Sequence, residues 1–152
     1  MKNTTLCYIE KDNKYLMLLR NKKENDCNEG KWIGVGGKFE GNETSDECLC
    51  REVLEETGLV LTDYHFHGIV YFLNTVWEDE AMYLYTATGF DGTPDYNCDE
   101  GELRWIDKSE IMKLNLWEGD RIFLEKLING EDRIDMTLNY DGERLISVKF
   151  YE

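Results

Sequence analysis

Two hydrophobic rhythms alternate along the chain. Near its start, "TTLCYIE" and "KYLMLLR" are β-prone runs on either side of "KDN", which predicts a hairpin over residues 4 to 20. "NKKENDCNEG" is polar and turn-rich and reads as a loop; the short extended stretch "KWIGVGGKFE" follows, and glycines 34, 36, 37 and 41 let its backbone come close to another group. The period then changes to that of a helix. Thr44 with Glu47 matches a capping box and Gly58 supplies a left-handed stop, so a helix of about three turns is expected from Ser45 to Thr57. "YHFHGIVYFLNTV" and "EAMYLYTATGF" read as two longer strands, "GTPDYNCDEG" as a loop and "ELRWID" as another strand. Two shorter helices are expected at "KSEIMKL" and from about Glu118 to Leu127. Asp141-Gly142, between two alternating runs, marks a closing hairpin. This mixture predicts an α/β fold with helices on the faces of a mixed sheet.

Composition narrows the picture. A chain of 152 residues fits one domain, and 41% hydrophobic content with a single proline suits a globular one, so residues 1–152 are expected to fold as a unit. Seventeen Lys and Arg against thirty-two Asp and Glu give a net charge of −15, which repels a polyanion; stable nucleic-acid binding is not expected. A small anionic substrate stays compatible, because divalent cations invert the local field around clustered carboxylates. The five cysteines are odd in number and show no CxxC spacing, as expected of reduced thiols rather than disulfides or a zinc site. "MKNTTLCYIEKDNK" meets charge too early for a secretory signal, and no uncharged run is long enough to span a bilayer. A cytoplasmic location without a membrane partner is expected.

The segment "GGKFEGNETSDECLCREVLEETGL" changes the picture most. It carries seven carboxylates, and helical spacing puts Glu52, Glu55 and Glu56 on one face, where like charges repel. A solvated acidic face is one reading. The glycine-rich turn offers backbone carbonyls and Arg51 offers a rigid fork for a carboxylate such as Glu43, which supports another: hard oxygen ligands for Mg²⁺ or Mn²⁺. Such ions hold phosphate oxygens and activate water for in-line attack on phosphorus.

From Gly37 to Leu59 these residues fit every fixed position of the pattern G-x5-E-x7-R-E-U-x-E-E-x-G-U, with U aliphatic: Gly37, Glu43, Arg51, Glu52, Val53, Glu55, Glu56, Gly58 and Leu59. This resembles the box of the Nudix hydrolases. The resemblance implies the Nudix fold, an α/β/α sandwich around a mixed sheet, and hydrolysis of a nucleoside diphosphate linked to another group. It implies metal ligation by Glu52, Glu55, Glu56 and the Gly36 carbonyl, with Arg51 and Glu43 orienting the cluster and Glu52 or another acid as general base.

Outside the box, "WIGVGGKFE", "CDEGELRWID" and "NLWEGDRIFL" resemble the MutT-type branch, which hydrolyses oxidised purine nucleoside triphosphates such as 8-oxo-dGTP to a monophosphate and pyrophosphate by water attack at the β-phosphorus. The resemblance implies a further metal-facing acid at Glu100, with Asp99 and Glu102 as neighbours that could serve instead. It implies a base-stacking Trp117, for which a plain core tryptophan is the alternative. Asp120 falls where the branch reads the purine edge, and it could equally cap the following helix. Two positions depart from mammalian members: Ile33 stands in place of asparagine and Gly119 in place of a second aspartate. Lys38 and the flanking Arg20, Lys22 and Lys23 are candidates for phosphate contact, with ordinary solvation as the alternative. His65 and His67 share a strand face without an acid or thiol partner evident from the sequence, and are read as structural; a Cys–His nucleophile built on Cys48 or Cys50 is rejected. Two further readings keep the box: a hydrolase of ADP-ribose, a dinucleoside polyphosphate or a nucleotide sugar, and a nucleotide-binding module without turnover. The expected partner is a small nucleotide, taken up by a monomer or homodimer.

Overall fold

The computed structural model describes residues 1–22 and 26–151. Its elements, in chain order, are β1 (Lys2–Lys11), β2 (Lys14–Arg20), β3 (Trp32–Ile33), α1 (Ser45–Thr57), β4 (Val60–Asn74), β5 (Glu80–Asp91), β6 (Asn97–Cys98), β7 (Gly101–Asp107), a 3₁₀ helix (Lys108–Lys113), α2 (Glu118–Ile128), β8 (Asp135–Asp141) and β9 (Arg144–Tyr151). The nine strands join one mixed sheet in the order β6-β7-β2-β1-β5-β4-β8-β9, with β3 beside β2. β1 pairs parallel to β5 and β4 parallel to β8; the other pairs are antiparallel.

The central strands are buried on both faces, which is why β1 and β2 read as unbroken apolar runs. Leu6, Tyr8, Tyr15 and Met17 enter a core shared with Phe123 and Leu124 of α2. Their neighbours Cys7, Ile9, Leu16 and Leu18 point the other way, into a core shared with Leu49 and Val53 of α1. One helix on each face makes the expected α/β/α sandwich. Asp12 and Asn13 both take positive φ, 53° and 63°, in the two-residue turn that closes the Lys11–Lys14 pair, the geometry whose twist suits adjacent strands.

Several boundaries differ from expectation. β4 begins at Val60 rather than Tyr64, because its first residues pair with the end of β5 across a bulged ladder. The stretch expected as a loop contains β6, two residues that add an edge to β7. "KSEIMKL" forms a 3₁₀ helix, started by the Asp107 carboxylate accepting from Ser109 N–H. α1 keeps its expected limits: Thr44 Oγ1 accepts from Glu47 N–H at 3.2 Å, Glu47 Oε1 from Thr44 N–H at 3.0 Å, and Gly58 ends the helix at φ 80°. All five cysteines are unpaired. Among the described residues, no helix is long and apolar enough to cross a membrane.

Removing the Thr44 hydroxyl leaves an amide of the first turn without its cap. Thr44→Ala is expected to lower the unfolding free energy by about 1 kcal/mol in chemical denaturation, without changing the m-value.

Candidate active site

The glycine turn before α1 is stitched to β1. Thr5 N–H donates to Gly37 O at 2.9 Å and Cys7 N–H to Val35 O at 2.6 Å, so the turn lies between the sheet and the helix. Both central glycines are required there by close approach. A Cβ on Gly36 would meet Thr5 O at 2.0 Å, and one on Gly37 would meet the Glu52 carboxyl carbon at 2.4 Å. The backbone at 36–37 and the Glu52 carboxylate can therefore share one small space.

Arg51 organises the acids around it. Its Nε donates to Glu43 Oε2 at 2.6 Å, Nη2 to Glu43 Oε1 at 2.8 Å and to Lys38 O at 3.0 Å, and Nη1 to Glu52 at 2.8 Å and Glu55 at 3.2 Å. The bidentate grip lowers the Glu43 pKa to about 2. Glu52 and Glu43 are mostly covered, each with 17% side-chain exposure, whereas Glu55 is 60% exposed.

Glu56 lies deepest. Its Oε1 is buried with no hydrogen-bond partner among the described residues. Burial first, then the charge of Glu100 and a hydrogen bond with it, raise its pKa to about 9. Glu100 in turn pairs with Arg20 Nη1 at 3.4 Å, and Arg20 also holds Asp26 at 2.9 Å. Of the acids in that loop, Glu100 faces the cluster. Glu102 pairs with Arg104 instead, and Asp99 lines a neighbouring groove of about 380 Å³ with Glu52, Glu55, Glu56 and Glu100. An orphaned buried carboxylate oxygen among hard oxygen donors is the donor set that Mg²⁺ or Mn²⁺ takes.

A second cavity, of about 400 Å³, runs from Gly36, Gly37, Glu52 and Glu100 to Ile33, Phe72, Met82, Trp117 and Asp120. Lys38 lines it and is exposed; Arg20 lines it but is engaged with carboxylates. Lys22 leaves the cavity, donating to Asn97 Oδ1 and to Cys98 O at 2.7 Å. Lys23 lies outside the described residues.

Trp117 is only 4% exposed, packed edge-on against Phe72 and Tyr140 with ring centroids 5.3 and 5.0 Å apart, while its Nε1–H donates to Asn28 Oδ1 at 2.8 Å. It is thus a core residue that also lines the cavity. Lys31 Nζ lies 4.9 Å from its ring centroid and is itself tied to Glu143 at 2.6 Å. Asp120 does not cap α2. The N-cap is Trp117, which has no capping side chain, and the amide of Gly119 donates to the Tyr140 hydroxyl at 2.7 Å instead. Asp120, at the third helical position, is 6% exposed and lines the cavity.

Sequence reading missed Tyr140 and Glu143, which come from β8 and the β8–β9 turn. No local spacing links them to residue 117. Tyr140, with Leu138 of the same strand, also explains the glycine at 119: a Cβ there would lie 2.4 Å from Leu138 Cδ1 and 2.7 Å from the Tyr140 hydroxyl. The space for a second aspartate is filled from β8. Of the two histidines read without an evident acid partner, His65 has one, its Nε2 lying 2.5 Å from Asp132 Oδ1, while His67 Nδ1 meets the main-chain carbonyl of the same residue at 2.8 Å.

Comparison with known proteins gives the family and the fold. The NUDIX domain model matches residues 2–127, and the chain belongs to that family of hydrolases, enzymes that act on pyrophosphate bonds of small nucleotide substrates and generally use divalent metal ions. It is 26% identical over 147 residues to an uncharacterized Nudix hydrolase, YvcI, of Bacillus subtilis (strain 168), covering 94% of this chain and 89% of that protein. It is 32% identical over 101 residues to the oxidized purine nucleoside triphosphate hydrolase of Danio rerio, covering 65% of this chain and 64% of that protein. The fold matches a MutT protein from Bacillus halodurans with a TM-score of 0.88 at 23% identity over 99% of this chain and 97% of that one. A MutT protein from Methanosarcina mazei Go1 matches with 0.74 at 23% identity over 87% and 96%.

Two consequences can be measured. Burial first, then the charge of Glu80, raises the Asp120 pKa from 3.8 to about 8, against a lowering by Lys31. The folded chain therefore keeps a proton on Asp120 that the unfolded chain releases as pH rises, and stability from this site is full below the unfolded value and lost on approach to the folded one. Asp120→Asn is expected to gain on the parent chain by several degrees in thermal midpoint from about pH 4 to about pH 8. Gly119→Ala is expected to destabilise by about 1–3 kcal/mol in denaturant titrations, and to cost less in a Leu138→Ala background.

Proposed function

We propose that the chain is a metal-dependent nucleoside triphosphate pyrophosphohydrolase acting on purine nucleotides, oxidised ones such as 8-oxo-dGTP among them, to give a nucleoside monophosphate and pyrophosphate. The observation that carries this reading is the continuity of one cavity from the acidic cluster to Trp117 and Asp120. A triphosphate can lie at the acidic end while its base reaches the aromatic end.

In this reading Glu52, Glu55, Glu56, Glu100 and the Gly36 carbonyl would hold Mg²⁺ or Mn²⁺. When bound, the ion supplies Lewis-acid charge for the phosphate oxygens and for the incoming water. Glu52 takes a proton from that water as its oxygen attacks the β-phosphorus. The bond from that phosphorus to the α–β bridging oxygen breaks, and the monophosphate leaves with the bridging oxygen. Arg51 keeps Glu52 oriented from one side, and Gly37 leaves room for its carboxylate. Lys38 meets phosphate oxygens at the mouth of the cavity. Trp117 supports the base by aromatic contact, and a neutral Asp120 can both donate to and accept from its edge. Ile33 offers no polar contact, so Asp120 carries that recognition.

The test is ³¹P NMR of the protein with Mg²⁺ and equimolar 8-oxo-dGTP and dGTP, without added pyrophosphatase. Pyrophosphate formed with faster loss of the oxidised nucleotide is the expected result. Equal loss would limit the reading to general triphosphate hydrolysis; no loss of either, with consumption of ADP-ribose or a dinucleoside polyphosphate, would overturn it. Glu56→Gln is expected to lower kcat/KM at least about 100-fold while leaving the thermal midpoint near neutral pH unchanged or raised, since it replaces a buried carboxyl that already holds its proton there with a neutral group of the same size.

A further inference from the structure

β4 turns two imidazoles to one face where the sheet meets the crossover from α2 to β8. His65 and His67 are two residues apart, and their ring centroids lie 4.7 Å apart, edge to face. Asp132 approaches from the crossover. His65, His67 and Asp132 bring one ligand atom each to within 4.8 Å of one another.

Two backbone features hold this arrangement. Ile134 N–H donates to His67 O at 2.8 Å, and Gly68, at φ +145°, lets the crossover pass where a Cβ would meet Ile134 O at 2.1 Å. The loop bearing Asp132 is therefore tied to the strand bearing the histidines.

The contacts of His67 set its chemistry. Its Nδ1 lies 2.8 Å from Asp132 O, a carbonyl that can only accept, so the proton sits on Nδ1 and Nε2 keeps its lone pair. A ligating histidine is commonly oriented in this way, with its second nitrogen donating to a backbone carbonyl. Nε2 faces the Thr86 hydroxyl at 2.7 Å, a donor that can rotate toward water and release the lone pair. The nearest fixed cation in the loop, Arg133, is engaged with Asp135 at 2.6 Å.

We propose that His65, His67 and the Asp132 carboxylate form a second metal site, each histidine giving one ring nitrogen, separate from the carboxylate cluster of α1 and selective for a borderline divalent ion such as Zn²⁺. Two nitrogens and one oxygen suit Zn²⁺, Co²⁺ or Ni²⁺ and suit Mg²⁺ poorly. Seven residues of strand separate His65 from Phe72, roughly 23 Å at the usual rise, so this site does not belong to the nucleotide cavity. A metal there would clasp the crossover to β4. The site would act on the stability of the carboxyl-terminal part of the sheet rather than on turnover.

The test uses metal-free full-length protein in millimolar Mg²⁺, which keeps the carboxylate cluster occupied by a competitor. Calorimetry with Zn²⁺ is expected to show one site per chain and a raised thermal midpoint. His65→Ala and Asp132→Ala, both at exposed positions, are expected to weaken it at least tenfold each, whereas Glu56→Gln leaves it unchanged. Co²⁺ should give a visible d–d spectrum without the intense near-ultraviolet band of thiolate ligation. Zn²⁺ affinity equal in all variants, a thiolate band from the free cysteines, or no binding above Mg²⁺ would each overturn the assignment. None of these readouts depends on nucleotide hydrolysis.

Discussion

The site depends on how Arg51 holds the acids of a crowded helix face. One guanidinium contacts Glu43, Glu52 and Glu55 directly and lies 3.7 Å from Glu40, while its remaining donor reaches the Lys38 carbonyl. A single positive charge cannot neutralise so many carboxylates. It does fix their directions, because a planar fork that grips Glu43 with two hydrogen bonds has little freedom left. Glu56 lies outside this grip, and its orphaned oxygen is where the arrangement is least satisfied without a cation. In the proposed function the repulsion and the incomplete hydrogen bonding would both be relieved by the same event, metal binding, which would couple the local electrostatics of α1 to the chemistry of its family.

The sheet supplies the second half of the site through β1. Its alternating side chains serve both cores, and its backbone also bonds the glycine turn, so the position of that turn's carbonyls follows from the packing of the central strand. β1 pairs parallel with β5, whose Met82 lines the cavity that Phe72 of β4 also walls. The acids of α1 and the side chains at the aromatic end of the cavity are thus both positioned against one sheet. A shift of β1 by one residue would reverse its alternation and disturb both ends together.

Much of this was legible in the sequence because it is local. The capping box, Gly58 and the acids between them lie within one helix, so residue spacing alone gave the limits of α1 and the face it presents. The pairing of β1 with β2 was legible for a similar reason, since two β-prone runs on either side of a short turn form a hairpin. What escaped reading is nonlocal. Glu100 could be separated from Asp99 and Glu102 only once the chain had folded Glu100 toward Glu56 and Glu102 toward Arg104. Asp132 is 65 residues from His67, too far for any periodicity to join them. β6 is two residues long, below the length at which alternation carries a signal.

Residues 128–151 sharpen the point. They lie beyond the matched family segment, yet β8 and β9 extend its sheet, and Tyr140 of β8 backs Trp117, which lines the cavity. Tyr140 supplies the cap that α2 lacks, packs on Trp117 and, with Leu138, occupies the volume beside residue 119. The loss of a side chain at Gly119 and the gain of a wall from β8 are therefore one structural fact seen from two places in the chain. An aspartate at 119 would have to displace buried apolar atoms, while an unfilled space there would leave Trp117 loosely held. In the proposed function, base recognition would consequently depend on the α2 start together with the β8 residues packed behind it. Comparison of the α2 motif alone, even where the tryptophan and the aspartate at 120 agree, does not capture the shape of the pocket they line.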